Sequence, residues 1–374
     1  MEKDTAKKRI FCPVRWLTLL LSLLWVGFYF SFRQREAWMD AICRALVRPW
    51  HRWMGRAADF LPFSLAECLG WGGGLLALWA LVRLVRLAAR RPRDWRALGR
   101  WALTVGSVGA LLFALFCLLW GVYYYAPSFS AQSGLEARPV SAAELESVTR
   151  YFVSLCNDYA ERVPRDSEGL YAGDEAAIFA HSPALYREVS ERFPCLAGEE
   201  LHAKPIGGSL ILSYVNCTGF FCPYTAEANV NTHMPLTLLP ATIAHELAHQ
   251  RGVAAEDEAN FVAVLSSLEN GQEDYVYSAA VMAYIYLGNA LCKADSARWA
   301  AVYATLSDAV RRDLGAHNAY WDRFDQPVKE VSDRVYTAFL RTYGDDRGLQ
   351  SYGACVDLLV AYYGETARNC EIDP

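Results

Sequence analysis

The second half of the chain contains the run His245-Glu246-Leu247-Ala248-His249-Gln250-Arg251-Gly252, and Glu256-Asp257-Glu258-Ala259-Asn260 follows three residues later. Two histidines four positions apart on a helix project from one face, close enough to bind one Zn²⁺ ion through imidazole nitrogens. Glu246, between them, would point at the metal's open position and act as general base on the bound water. The spacing therefore predicts the catalytic metal site of a zinc hydrolase.

The carboxylates after Gly252 offer a third ligand. Gly252 provides a place for the first helix to end, and a second helix beginning near Ala255 would bring Glu256 back towards the metal. Glu258 is the competing ligand, because on a helix it points about 200° away from Glu256 and only one of the two can bind. One metal position stays open for water, as hydrolysis requires.

Three long apolar stretches in the first 125 residues predict transmembrane helices at about residues 16–32, 60–82 and 101–124. Each is long enough to cross a hydrocarbon core of about 30 Å. Twelve Lys and Arg residues lie in the N-terminal tail and between the second and third stretches, against six in the first loop. The positive-inside rule therefore places the N-terminus in the cytoplasm and everything beyond Tyr125 outside it.

The loop after the first stretch has its own pattern. Apolar residues recur at helical spacing from Trp38 to Ala57, with arginines on another face and Pro49 as an expected kink. This pattern predicts an interfacial helix at about residues 36–58 that lies along the membrane surface. It equally fits a helix packed on the domain that follows.

The sign of the net charge changes at about residue 125, where the third apolar stretch ends. Residues 1–125 hold 18 Lys and Arg against 7 Asp and Glu, a formal net of +11, whereas residues 126–374 hold 18 against 34, a net of −16. An acidic outer domain is not expected to bind nucleic acid. We therefore expect a membrane anchor, residues 1–125, and an extracytoplasmic domain, residues 126–374, in a multi-pass protein of the cell membrane.

The outer domain has mainly helical periodicity. A capping box at Ser141 opens a helix to about Glu161, and Ala255–Leu291 resembles one long helix. Only Ser209–Val215 and Phe220–Asn231 look extended, so we expect a small sheet before the metal helix. Oxidising surroundings would permit disulfides, and the candidate pairs are Cys217 with Cys222 and Cys355 with Cys370.

The extended stretch Phe220–Asn231 is a candidate substrate-binding element. In zinc peptidases an edge strand beside the site commonly binds an extended substrate through main-chain hydrogen bonds. Asn229 and Asn231, two positions apart, would point to the same side and are the candidate substrate-binding residues. The alternative is an ordinary hairpin whose asparagines make turns.

Three motifs together resemble a known family: Pro-Tyr-Thr-Ala-Glu-Ala-Asn-Val-Asn at residues 223–231, His-Glu-Leu-Ala-His-Gln at 245–250, and Glu-Asp-Glu-Ala-Asn-Phe at 256–261. They are similar to the bacterial membrane family catalogued as domain of unknown function 3810, a zincin-like group, and the resemblance spans most of the chain. More distantly, residues 256–260 are similar to the Glu-x-x-Ala-Asp element of CAAX-type and heat-shock membrane proteases. That resemblance implies Glu256 as third zinc ligand and places Asn260 where those families have a ligand-orienting Asp. An amide there lacks the charge that raises ligand basicity.

Peptide hydrolysis also requires a donor for the oxyanion, for which Tyr352 is the first candidate, with Tyr336, and His317 with Tyr320, as alternatives. We expect a membrane-anchored, mainly α protein in which three transmembrane helices precede an α+β zincin-like (gluzincin) domain with a small sheet. Its partners would be the lipid bilayer, a zinc ion, and an envelope peptide or protein that it cleaves. The alternative is a non-catalytic metal-binding sensor or ligand-binding module of the envelope. Glu246 favours the enzyme, because a purely structural metal site needs no base.

Overall fold

The computed structural model describes residues 13–90, 92, 94–135, 137–138, 140–324, 327–342 and 352–372. The chain forms two compact units. The first unit comprises Met1–Trp50 and Leu65–Ala126, and the second comprises His51–Ser64 and Pro127–Pro374. The second unit differs from the domain expected from the sequence because it also includes His51–Ser64.

The first unit is built from long apolar helices. The first elements of the described chain are α1 (Pro13–Phe32), α2 (Glu36–Ile42), α3 (Arg48–Asp59), α4 (Leu65–Ala89) and α5 (Trp95–Leu119), and α3 passes into the second unit at His51. Helix α5 packs along α1, and the hydroxyl of Tyr29 donates a hydrogen bond to the carbonyl of Gly121, 3.0 Å away, in the 3₁₀ turn that follows α5. A π-helical turn, Cys43–Val47, joins α2 to α3 just before Pro49, which lacks the N–H that a regular helix would use there.

The second unit is mainly helical around one core. Its elements are α6 (Phe129–Ser133), α7 (Ala142–Arg162), α8 (Glu175–His181), α9 (Arg187–Arg192), β1 (Lys204–Ile206), α10 (Ser209–Tyr214), β2 (Gly219–Cys222), β3 (Glu227–Asn231), α11 (Leu239–Gln250), α12 (Glu256–Asn270), α13 (Glu273–Ala294), α14 (Ser296–Tyr303), α15 (Asp308–Asp322), α16 (Pro327–Thr342) and α17 (Tyr352–Ile372). The capping box at Ser141 and Glu144 opens α7 as predicted. The predicted helix over Ala255–Leu291 is instead two helices, because Gly271 adopts a left-handed conformation (φ +76°) that ends α12.

Four of the described helices are long and apolar enough to cross a membrane: α1, α4, α5 and α13. Helix α13 is largely buried in the core of the second unit, where it packs against α7. Few residues of α1, α4 and α5 are buried, and the three helices overlap the three predicted stretches, although α4 begins at Leu65 and not at Phe60. Several apolar helices of this kind are compatible with a membrane protein.

The small sheet has three strands in the order β1-β3-β2. Strand β3 is central, parallel to β1 and antiparallel to β2, with Asn229 paired to Lys204 on one side and to Phe220 on the other. Helix α11 packs against β2 and β3. The stretch 209–215, predicted to be extended, is helix α10 instead, because a short apolar run does not distinguish a strand from a buried helical turn.

The cysteines of the described residues are free thiols, so the two predicted disulfides are not formed. Cys355 and Cys370 lie on the single helix α17, where fifteen positions at 1.5 Å each separate them by about 22 Å. Cys217 and Cys222 are separated along the chain by the extended strand β2, which ends at Cys222. A disulfide needs Cα atoms within about 7 Å, which neither arrangement provides.

Segment 51–64 is an integral part of the second unit. Arg56 forms an ion pair of 2.6 Å with Glu199, and Asp59 accepts a hydrogen bond of 2.9 Å from the backbone N–H of His202. A Cβ added at Gly55 would lie 2.5 Å from the side chain of Leu201, so the backbone approaches closely there. The second half of α3 therefore packs on the domain, which was one of the two arrangements that its sequence allowed.

Candidate metal site

Helix α11 carries both histidines. It begins with Pro240 in its first turn, where the missing N–H costs no helical hydrogen bond, and the backbone N–H of Ala241 donates to the hydroxyl of Ser278, 3.0 Å away. The side chains of Ile243 and Leu247 are fully buried in the core, which fixes the rotation of the helix about its axis. As predicted from their spacing, His245 and His249 lie on one face, with ring centroids 4.6 Å apart.

The end of α11 orients the second histidine. Gly252 has φ +89°, its N–H donates to the carbonyl of His249, and the N–H of Val253 donates to the carbonyl of Ala248, at 2.9 and 3.2 Å. These two bonds form a Schellman motif, which requires a left-handed residue that glycine adopts without strain. The carbonyl of Val253 then accepts a hydrogen bond of 2.7 Å from Nδ1 of His249. That bond assigns the proton to Nδ1 and leaves Nε2 as a lone-pair donor.

Helix α12 brings Glu256 to the two histidines. One carboxylate oxygen lies 3.3 Å from Nε2 of His245 and the other lies 3.6 Å from Nε2 of His249. The three ligand atoms all lie within 4.8 Å of one another and could hold a metal ion. Two imidazoles and one carboxylate are a common protein ligand set of catalytic zinc. The donor set therefore fits the predicted cofactor, and the exposed fractions of the three side chains, 7–20%, leave the cluster reachable from solvent.

Glu258 points away from this cluster. Its two carboxylate oxygens accept hydrogen bonds from the backbone N–H groups of Phe129 and Ser130, at 2.8 and 2.9 Å, at the start of α6. A carboxylate is stabilised there by the unpaired N–H groups and the dipole of the helix. Of the two competing carboxylates, the structure therefore brings Glu256 and not Glu258 to the histidines.

Burial and charge act in opposite directions at this site. Burial raises the pKa of Glu246 to about 7, against the attraction of the two histidines. Burial lowers the pKa of His249, but the charge and hydrogen bond of Glu256 outweigh that effect and raise it to about 9. Burial also disfavours the charged form of Glu256, yet the histidines hold its pKa well below the usual range. The cluster thus attracts cations, whether protons or a divalent metal.

Strand β2 passes directly beside Glu246. A Cβ added at Gly219 would lie 2.7 Å from Oε1 of Glu246 and 2.8 Å from the carbonyl of Asn229. Within the described residues Oε2 of Glu246 is buried without a hydrogen-bond partner. A buried carboxylate oxygen normally accepts a hydrogen bond, and water or a substrate group could donate it here. Glycine at position 219 therefore provides the space in which the general-base candidate is held.

Asn229 and Asn231 do not lie where a substrate could pair with them. Both are on the central strand β3 and are fully buried. Asn229 accepts a hydrogen bond of 2.6 Å from Ser64 and donates to the carbonyl of Glu227, while Asn231 donates to Ser213 at 2.9 Å. The two side chains share one face, as predicted, but they join the sheet to neighbouring segments. The strand at the sheet edge next to Glu246 is β2.

A family model for a protein family of unknown function (DUF3810) matches residues 44–360. The chain belongs to this family. No curated protein and no solved structure shows significant similarity to it. The matched range includes α11, α12 and β2, so the whole candidate site lies within the family domain.

Asn260 does not orient a histidine of the candidate site, although the family resemblance places it where other families have a ligand-orienting Asp. Asn260 is buried one turn after Glu256, but the partner of Nδ1 of His249 is the carbonyl of Val253. Nδ1 of His245 has no hydrogen-bond partner among the described residues, so Asn260 does not orient that histidine either. Gly252 is the sequence feature from which the role of the Val253 carbonyl could have been predicted. A glycine directly after a helix favours a Schellman motif, which turns the next carbonyl back towards the helix.

The predicted oxyanion donors are only partly described. The side chains of Tyr352 and Tyr336 lie outside the described residues, so their role stays a prediction. The hydroxyl of Tyr320 lies 2.5 Å from that of Ser213 and 2.9 Å from Nδ1 of His233, which gives Tyr320 a place in the packing of α15 against α10. Burial lowers the pKa of His317, its companion in the prediction.

Proposed function

We propose that this protein is a membrane-anchored, zinc-dependent metallopeptidase that hydrolyses peptide bonds of an envelope or extracytoplasmic protein or peptide. The observation that carries the proposal is the separation of roles at the site. His245, His249 and Glu256 converge as three ligands, while Glu246 lies on the same helix, buried, without serving as one of them. A structural metal site would have no use for this additional carboxylate.

The ligand set favours zinc among the common divalent metals. Imidazole and carboxylate ligands suit Zn²⁺, and three protein ligands leave a position for reactants. When bound, zinc would supply the Lewis acidity that makes peptide hydrolysis feasible at neutral pH. The sequence similarity of residues 256–260 to CAAX-type and heat-shock membrane proteases supports a zincin-like (gluzincin) assignment.

The protein's own residues would carry the proton transfers. Glu246 would accept a proton from the attacking water and return it to the leaving amine, and a buried carboxylate beside the proposed metal ligands is placed for both steps. Strand β2, at the sheet edge, would align an extended peptide by main-chain pairing. Gly219, on this strand, would keep the peptide backbone and Glu246 close together.

The proposed location follows from apolar helices and charge. Helices α1, α4 and α5 would be the three spans, and the excess of Lys and Arg before α1 and between α4 and α5 supports a cytoplasmic N-terminus. The second unit, which holds the site, would then lie outside the cytoplasm. Peptides of that compartment are the substrate class that it can meet.

The test compares wild-type protein with Glu246→Gln, both full-length and purified in detergent. Both should hold about one zinc per chain, because Glu246 is not a ligand, whereas His245→Ala should hold none. Glu246→Gln should lose at least about 10²-fold in turnover, since an amide cannot accept the proton from water. The matched control is Glu269→Gln. Glu269 lies on α12, as Glu256 does, but pairs with Arg192 away from the histidines, so this variant should keep activity.

Each outcome has a consequence. Wild-type protein without metal would refute the zinc site itself. Equal turnover by wild type and Glu246→Gln would refute the general-base role. If the wild-type protein binds zinc but neither it nor any variant cleaves a peptide from a broad envelope library, the sensor or ligand-binding alternative is favoured.

A further inference from the structure

The second unit exposes apolar side chains directly before α4. Phe60 is 89% exposed and Phe63 is 49% exposed, in the loop between α3 and α4. Phe63 is two residues from Leu65, the first residue of α4, and two residues span at most about 7 Å of chain. The covalent chain therefore holds these two phenyl rings at the end of a helix that is long and apolar enough to cross a membrane.

Helix α10 adds an apolar surface with an inverted pattern. Its serines, Ser209 and Ser213, are buried, whereas Leu210, Ile211 and Tyr214 are 44%, 53% and 48% exposed. A surface helix of a water-soluble domain normally shows the opposite arrangement, with apolar residues inside and polar residues outside. The outer side of α10 is therefore built for an apolar environment.

Hydrogen bonds join α10 and the loop to the same face of the sheet. Asn229 accepts from Ser64 at 2.6 Å, and Asn231 donates to Ser213 at 2.9 Å. The two asparagines are two positions apart on β3, so they point to one face about 7 Å apart. Helix α10 and the loop 60–63 are thus both joined by buried hydrogen bonds to one face of β3.

The two segments that form this surface carry no charged side chain although the domain is acidic, and the Lys204–Asp59 ion pair adjoins the loop, where Lys204 donates to the carbonyl of Leu61 at 2.6 Å. Residues 60–66 and 205–226 contain no Asp, Glu, Lys or Arg, whereas residues 126–374 as a whole carry a formal net charge of −16. Carboxylates would be repelled by anionic lipid headgroups and are costly in the membrane, while aromatic and aliphatic side chains are favoured at its interface. Exposed apolar side chains grouped on neighbouring segments mark a binding site.

We propose that this surface, formed by Phe60, Phe63, Leu210, Ile211 and Tyr214, docks into the interfacial region of the lipid bilayer that α4 enters. The headgroup region is about 5–8 Å thick on each side of the hydrocarbon core, which matches the short chain distance between Phe63 and α4. The occupant is lipid because the chain runs from Phe63 through Ser64 directly into an apolar helix. The docking is a property beyond the proposed peptidase activity, and it rests only on α4 crossing the membrane.

The test uses full-length protein reconstituted into vesicles of phosphatidylcholine and phosphatidylglycerol. A photo-crosslinking phenylalanine analogue replaces Ile211 in one sample and Tyr303, an exposed aromatic residue at the end of α14, in a control sample. After illumination, mass spectrometry identifies what each position has captured. We expect lipid adducts at position 211 and only background at position 303.

A second variant tests the dependence on apolar character. Leu210→Asp, with the analogue kept at position 211, should reduce the lipid adducts to the level of the control position, because a carboxylate is disfavoured in the interface. Adducts to a second copy of the protein, equal lipid yields at positions 211 and 303, or an unchanged yield in Leu210→Asp would each overturn the proposal. Thermal unfolding of each sample confirms that it is folded. None of these readouts requires zinc or turnover, so this proposal and the peptidase proposal fail separately.

Discussion

Gly252→Ala should weaken zinc binding without changing any ligand. The residue has φ +89°, where an L side chain costs about 1–2 kcal/mol. The chain can relieve that strain by moving Gly252 out of the Schellman motif, and the carbonyl of Val253 then moves away from Nδ1 of His249. Groups that orient a metal ligand are typically worth 10- to 100-fold in affinity, so we expect a loss of at least about 10-fold, or about 1.4 kcal/mol.

Gly271→Ala is the matched control. Gly271 also ends a helix in the left-handed conformation, with φ +76°, and a Cβ there would meet nothing within 4 Å. Both variants should therefore lower the unfolding temperature to a similar extent, but only Gly252→Ala should bind zinc more weakly. Competition with a chromogenic chelator measures zinc affinity, and thermal unfolding of the full-length protein in detergent measures stability.

Two results would refute the reasoning. If Gly252→Ala loses stability but keeps wild-type affinity, the carbonyl of Val253 does not orient His249. If Gly271→Ala loses as much affinity as Gly252→Ala, the effect is a general consequence of destabilisation and not of the hydrogen bond to Nδ1.

Three further predictions concern the base, the ligands and the topology. Gly219→Ala should keep zinc but lower turnover by about 10²-fold, because the added methyl displaces Glu246; loss of zinc would contradict this. Glu258→Gln should cost about 1.5–3 kcal/mol of stability and leave zinc affinity unchanged, whereas Glu256→Gln should release zinc; the reverse pattern would reassign the third ligand. A reporter active only outside the cytoplasm should work after Pro374 and fail near Arg93, and an active fusion near Arg93 would contradict the three-span arrangement.

The local part of the site could be predicted from the sequence. Two histidines four positions apart must share a helix face, and a glycine after them allows the chain to reverse. The angle between successive helical residues predicts that Glu256 and Glu258 cannot both reach the histidines, and the resemblance to membrane proteases favours Glu256. These inferences work because every step concerns residues that are close in sequence and belong to regular elements.

The nonlocal part could not be predicted in the same way. That β3 and not β2 is central depends on the parallel pairing of Lys204 with Asn229, two residues far apart in sequence. For this reason the burial of Asn229 and Asn231 was missed. Helix α10 was misread because its exposed side is apolar, and a short run of Leu and Ile carries no period that separates helix from strand.

The two-segment composition of the second unit has a consequence for how the protein is made and cut. Residues 51–64 are synthesised before α4 and α5, but their partners Glu199, His202 and Asn229 come much later. The unit therefore cannot complete its fold until most of the chain has been translated, and the early segment must wait without its partners. A single proteolytic cut between α5 and α6 would likewise not shed the unit, because the released part would still be bound to residues 51–64. Two further cuts, one before His51 and one after Ser64, would be needed to free it.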